Sequence, residues 1–159
     1  MGKEDRVYKK IVHVLLVHGY LMFFVAIILG AIVDLFSGVK FSQDIVYQQI
    51  GVVMIMLGTV LVYFAQSSSG RAGKIKKEEA NVEGFKYGPY KYFHHPTYLG
   101  LFIMTLGLGL TLNSPASIIL VFVAHLLIKF VFIKKEERIL EEKYGEIFTS
   151  YKKKGKNKK

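Results

Sequence analysis

The stretch YLGLFIMTLGLGLTLNSPASIILVFVAHLLIKFVFI, residues 98–133, decides the fold. It holds two apolar runs, 98–112 and 117–133, separated by Asn113-Ser114-Pro115, where the proline ends one helix or begins the next. Two apolar helices joined by so short a turn make a tight hairpin. A bilayer core about 30 Å thick requires roughly 20 apolar residues in a helix. The first run, at about 1.5 Å per residue, is short for a crossing and the second is near the lower limit. The hairpin is therefore expected to be shallow or tilted, its lower ends merging into polar segments before Tyr98 and after Ile133.

Outward from the hairpin, the blocks 11–35 and 45–65 are long enough to span a bilayer. The fold class that follows is an all-α membrane protein of about four transmembrane helices, with the hairpin 98–133 and a C-terminal helix beyond it. At 159 residues, 52% hydrophobic and a net charge of +10, the chain is too apolar for an ordinary soluble domain and too charged for a passive anchor. The two properties are separated along it: of 22 Lys and Arg, only Lys40 and Lys129 lie outside the N-terminal tail, the central loop and the C-terminal tail. Positive charge near span ends marks the cytoplasmic side, so both termini and the loop 67–97 are expected there. The expected location is the cytoplasmic membrane of a prokaryote. The basic charge beside apolar spans points to the anionic leaflet of the bilayer rather than to nucleic acid. The first block follows a basic tail as a secretory signal would, but its length and the absence of a small-residue cleavage pattern before Asp34 argue for a retained helix.

The chain has no cysteine, which removes disulfides, thiolate metal sites and cysteine nucleophiles, and no His or carboxylate spacing makes a metal site. Glycines recur inside the spans at positions 19, 30, 51, 58, 100, 107 and 109. In lipid such residues let helix backbones approach, so packing is the expected role, with the Gly-Leu-Gly at 107–109 also a candidate cofactor wall. Asp34 and Asp44 flank the outer connection and are expected to be solvated.

Polar groups crowd the membrane boundary on either side of the hairpin. On the entry side stands GPYKYFHHPTYLG, residues 88–100. Gly88-Pro89 favours a turn, and Pro96 disfavours helical backbone at His95, so His94 and His95 fall in an extended stretch before the third span. The aromatic residues could alternatively be an interfacial belt with incidental histidines. On the exit side, KKEERILEEKYGEIFTSYKKK (134–154) reads as a helix continuing out of the fourth span, with Glu137 and Glu141 on one face and Glu136 about 100° away. A solvated amphipathic helix with Glu to Lys or Arg pairs is the plain reading, and an acidic pair able to receive a cation beside the membrane is the other.

Together these stretches resemble the isoprenylcysteine carboxyl methyltransferase and phospholipid methyltransferase superfamily, over about residues 84–151. The resemblance implies a single membrane methyltransferase domain with a cofactor-binding core at 84–151. It implies an S-adenosylmethionine pocket at the cytoplasmic boundary, with His95, Pro96 and Tyr98 lining it and Glu136 and Glu137 holding its polar groups. Tyr90, Gly100, Tyr144 and Tyr151 match further family positions. His94 stands where the family usually has Arg, which replaces a permanent cation by a group that titrates near neutrality and makes it a candidate base. The tail lacks the family's later Pro and Arg residues; residues 152–159 are expected to be disordered and to adhere to anionic lipid.

The implied partners are the bilayer and a lipidic or small hydrophobic methyl acceptor: a prenylated cysteine carboxylate, a phospholipid amine or a thiol. No obligatory protein partner is evident. His125 and Lys129, one turn apart in the fourth span, are either substrate contacts or, for Lys129, a side chain that snorkels to the boundary. His13 and His18 are expected to be packing or boundary residues. The segment 67–81 is expected to be a loop and a candidate lid. Competing functions are a nicotinamide-dependent membrane reductase and a non-enzymatic scaffold or transport subunit.

Overall fold

The structure, a computed structural model, describes residues 3–40, 44–72, 88–93, 95–146 and 149–150. His94, Tyr151, the candidate lid from residue 73 onward and the tail 152–159 lie outside the described residues. The first helix, α1, covers Lys3–Ser37, and α2 covers Ile45–Ala72. A single 3-10 turn, Gly88–Lys91, precedes α3, Pro96–Thr111. After the hairpin turn, α4 (Pro115–Leu127) continues through a π-helical segment, Ile128–Ile133, into α5, Lys134–Tyr144. Among the described residues, three stretches are long and apolar enough to cross a membrane: His13–Ser37, Ile45–Ser68 and Pro115–Glu142. The 16 residues of α3 extend about 24 Å, the short limb expected of the hairpin.

Large apolar side chains cover the outside of the bundle, among them Phe24, Leu57, Ile119 and Phe130. Such a surface suits hydrocarbon as its solvent. Inside, Phe23, Ala26, Ile27, Tyr98, Leu101, Val121, Ala124 and Ile128 form the core. The apolar helices gain little from avoiding lipid, so their association depends on close packing and on buried polar contacts.

Both devices are present. The antiparallel helices α2 and α3 meet through glycines placed reciprocally: a Cβ on Gly107 would stand 2.5 Å from the Gly51 carbonyl oxygen, and one on Gly58 would stand 2.6 Å from that of Gly100. Each helix repeats its glycine after seven residues, two turns, which keeps both contacts on one face. In the other antiparallel pair, α1 and α4, Gly30 lies against the backbone of Ser117, and His18 stacks on Phe132 towards the opposite end. Packing is thus the role these glycines fill, Gly109 included, which lies against Ile118.

The polar device sits at the hairpin turn. Asn113 takes a left-handed conformation (φ 53°), and Ser114 caps α4 by accepting from the Ser117 amide at 3.2 Å. Asp34 receives the Ser114 hydroxyl and, at 3.0 Å, the Ala116 amide, while the Ser117 hydroxyl donates to the Ile27 carbonyl at 3.0 Å. Asp34 is therefore buried, at 5% exposure, and not solvated as the sequence suggested. The turn packs onto the end of α1, so the carboxylate meets donors from α4 where an isolated helix end would meet water.

A second correction concerns residues 67–72, expected to be loop, which extend α2 beyond the apolar span. A helix bonds its own backbone groups and can leave the bilayer without interruption. The extension has a use: Ser68 lies under Gly88, whose positive φ and missing Cβ admit the contact, and the 3-10 turn is thereby seated on α2.

Replacing Asp34 by Ala strands the Ser114 hydroxyl and the Ala116 amide, at about 1–3 kcal/mol for each buried group. Thermal unfolding in detergent should show a clear loss for Asp34→Ala, and a smaller one for Asp34→Asn, whose carbonyl oxygen can accept both bonds. Gly58→Ala should cost about 1–3 kcal/mol by overpacking in the same measurement.

Candidate active site at one end of the helix bundle

Pro96 opens α3, and the restriction it places on the preceding residue leaves His95 at φ −130°, ψ 65°, outside the helical region. The His95 side chain makes no capping bond. It reaches instead across to α5, with Nε2 3.3 Å from Glu137 Oε1 and Nδ1 3.7 Å from Glu136 Oε2. All three side chains are largely buried. Neutral imidazole donates through one nitrogen only, so His95 can bond a single carboxylate at a time and leaves the other with capacity for a cation.

That both carboxylates face His95 depends on the π segment. From α4 into the start of the π segment the buried positions are Ser117, Val121, Ala124 and Ile128, and an uninterrupted α-helix would next turn residues 131 and 135 inward. Val131 and Lys135 are exposed; Phe132, Ile133, Glu136 and Glu137 are turned in. The wider turn thus delays the inward face by about one residue and exchanges a lysine for two carboxylates, a use of π geometry typical of functional sites. Its absence from the sequence reading is physical: nothing in IKFVFI departs from ordinary helical composition.

Among the described residues, two buried polar atoms here, Glu136 Oε2 and the Tyr98 hydroxyl, have no hydrogen-bond partner. Buried polar groups are normally bonded, and a bare carboxylate oxygen is costly, so both invite a polar ligand. The Tyr98 ring lies 6.4 Å from that of His95 and rests on α1 where Gly19 leaves room for it. Glu136, Tyr20 and Tyr90 come within electrostatic reach of its hydroxyl. Tyr90 belongs to the 3-10 turn and is partly buried, as is Tyr144, which closes α5 before Gly145 turns the chain at φ 56°.

The structure thus gathers Tyr90, His95, Tyr98, Glu136 and Glu137. Pro96 is buried beneath them. Gly100 is directed elsewhere, to its contact with Val62 and Gly58 of α2. The pair His125 and Lys129 divides. His125 lies inside the bundle, stacked 4.1 Å from Phe102, with a buried Nδ1 that has no partner among the described residues, whereas Lys129 is exposed on the outer surface. Sequence reasoning missed Tyr20 and Gln66, which belong to neither polar stretch; a polar residue inside the apolar block 11–35 was the available signal for Tyr20, whereas Gln66 falls just past the block 45–65.

Fold and site together define a class: an integral membrane helix bundle with a buried carboxylate, histidine and tyrosine cluster at one boundary. The phospholipid methyltransferase family matches residues 46–147, and the chain belongs to that family. The protein-S-isoprenylcysteine O-methyltransferase of Saccharomyces cerevisiae is 34% identical over 111 residues, 66% of this chain and 45% of the yeast protein. The chain thus spans less than half the length of that curated relative. No solved structure matches the chain.

Deleting Val131 should convert the π turn to α and rotate α5 by about 100°. Because the chain has no cysteine, the pair His95→Cys and Glu137→Cys reports the contact directly. A short bifunctional thiol reagent should link the two in the full-length chain and fail to do so once Val131 is deleted, whereas Val131→Ala should preserve the link.

Proposed function

We propose that the chain transfers the methyl group of S-adenosylmethionine to a lipidic or small hydrophobic acceptor at the cytoplasmic face of the membrane. The observation that carries this reading is the meeting of His95 with Glu136 and Glu137 beside the unbonded, buried Glu136 oxygen and Tyr98 hydroxyl. Family membership and the name of the yeast relative support methyl transfer as the reaction.

The donor set suits this cofactor. S-Adenosylmethionine supplies an activated methyl on a sulfonium, together with an ammonium, a carboxylate and hydroxyl groups. Glu136 and Glu137 pair with the ammonium, which answers the unbonded Oε2 with a charge-assisted hydrogen bond. His95, held between them, donates to one carboxylate and orients the pair, and its other nitrogen can accept from a ribose hydroxyl. Tyr98 and Tyr90 present ring faces that favour a cation, and the Tyr98 hydroxyl gains a partner.

With the electrophile already activated, these residues act by alignment and exclusion of water. Near-attack positioning is worth about 7–11 kcal/mol at best. A carboxylate or thiolate acceptor requires little base assistance, whereas a protonated amine must first lose a proton, a role for which His94, next to His95 in sequence, is the candidate. Both termini and the segment between α2 and the 3-10 turn lie on the cytoplasmic side in this reading, which places the cofactor pocket in reach of a water-soluble donor.

A reductase would bind a nicotinamide dinucleotide instead, and a scaffold would bind neither. Equilibrium binding with the purified chain in detergent separates them. Glu136→Gln with Glu137→Gln should weaken S-adenosylmethionine binding about 10- to 100-fold, the range expected for losing charged hydrogen bonds. Glu142→Gln, which disturbs only the exposed pair with Arg138, should leave it unchanged. Binding of NADPH with no affinity for S-adenosylmethionine would overturn the reading, as would equal affinity in the double variant.

A further inference from the structure

In the bundle α3 touches α1, α2 and α4, but α1 and α2, each packed on α3, make little contact with one another. The seam between α1 and α2 is therefore sparsely packed, with α3 behind it. Near one end of this seam Gln66 of α2 donates through Nε2 to the hydroxyl oxygen of Tyr20 on α1, at 2.7 Å. Both residues lie within apolar spans, His13–Ser37 and Ile45–Ser68, where polar groups are costly and tend to mark a pathway or a site.

The chemistry of this bond leaves capacity. The phenol oxygen accepts from the amide and keeps its own proton to donate, while the amide keeps its carbonyl oxygen to accept. The location is equally specific. Tyr20 follows Gly19, on which the Tyr98 ring rests, and it stands within electrostatic reach of the Tyr98 hydroxyl. Tyr98 thus has the carboxylate and histidine cluster on one side and the Tyr20–Gln66 pair on the other. An acceptor with a long hydrocarbon chain keeps that chain in the bilayer, so it must reach Tyr98 laterally. The sparsely packed α1–α2 seam, where Tyr20 stands near Tyr98, offers such a route.

We propose that Tyr20 and Gln66 position the methyl acceptor: its hydrocarbon chain lies along the seam between α1 and α2, and its polar end takes the free donor and acceptor of the pair near Tyr98. This inference rests on the methyl-transfer reading. It assigns a function to two residues outside both polar stretches and separates the acceptor side of the site from the cofactor side.

The test uses the full chain in detergent, with radiolabelled S-adenosylmethionine and two amphiphilic probes, N-acetyl-S-farnesylcysteine and dioleoylphosphatidylethanolamine. Tyr20→Phe and Gln66→Leu should each weaken binding of at least one probe about five-fold or more, the ordinary worth of one hydrogen bond, without changing S-adenosylmethionine affinity. The probe that responds identifies the acceptor's polar group as carboxylate or headgroup. A purely structural bond between α1 and α2 would instead lower the unfolding temperature and all affinities together, and that result overturns the inference. So does unchanged probe binding in both variants. A wild-type chain that binds S-adenosylmethionine but neither probe refutes the acceptor site alone, whereas one that binds no S-adenosylmethionine refutes the methyl-transfer reading on which it stands.

Discussion

Close approach of helix backbones in a solvent that does not drive them together is the constraint on which the rest of this structure depends. Lipid tails are as apolar as leucine, so burying a leucine between two of these helices gains little over leaving it exposed. What remains is contact at distances that only glycine allows, as between Gly51 and Gly107 or Gly58 and Gly100, and polar groups that find partners only inside. The reciprocal glycines fix the height of α3 on α2, and the cluster of Asp34, Ser114 and Ser117 fixes the hairpin turn on α1. With its outer end held and its length limited to 16 residues, α3 must begin where His95 meets the first turns of α5.

The two ends of the hairpin behave differently for a physical reason. At the outer end every polar group of the cluster is answered: Asp34 accepts from Ser114 and Ala116, and Ser117 bonds Ile27. At the opposite end Glu136 Oε2 and the Tyr98 hydroxyl are buried without hydrogen-bond partners among the described residues. A satisfied buried network makes structure rigid, and an unsatisfied one stores a demand that a ligand can meet. Among the described residues of α5, Lys134, Lys135 and Arg138 are exposed, yet the groups turned inward are carboxylates. A basic boundary that buries acids favours a cationic ligand within and anionic lipid around it.

Much of this was legible in the sequence because it depends on composition and local rules. Apolar run lengths gave the spans, the distribution of Lys and Arg gave an expected orientation, Asn113-Ser114-Pro115 gave the hairpin, and Pro96 put His95 outside the helix. The joint pattern of the His-Pro and Glu-Glu stretches pointed to the family. What was misread turns on neighbours. Asp34 looked solvated because its partners are about 80 positions away in sequence, and residues 67–72 looked like loop because serine and glycine are weak helix formers in isolation.

Sequence by itself determined that this chain lives in a membrane, how many times it turns, and which residue types stand at the boundary, since each follows from periodicity, length and local backbone preference. Only the tertiary structure decided that a π turn swings Glu136 and Glu137 rather than Lys135 towards His95, and that Tyr20 and Gln66 meet beside Tyr98. Helical phase is a cumulative angle: one wide turn anywhere in a helix re-aims every residue after it, and composition carries no record of where that turn falls.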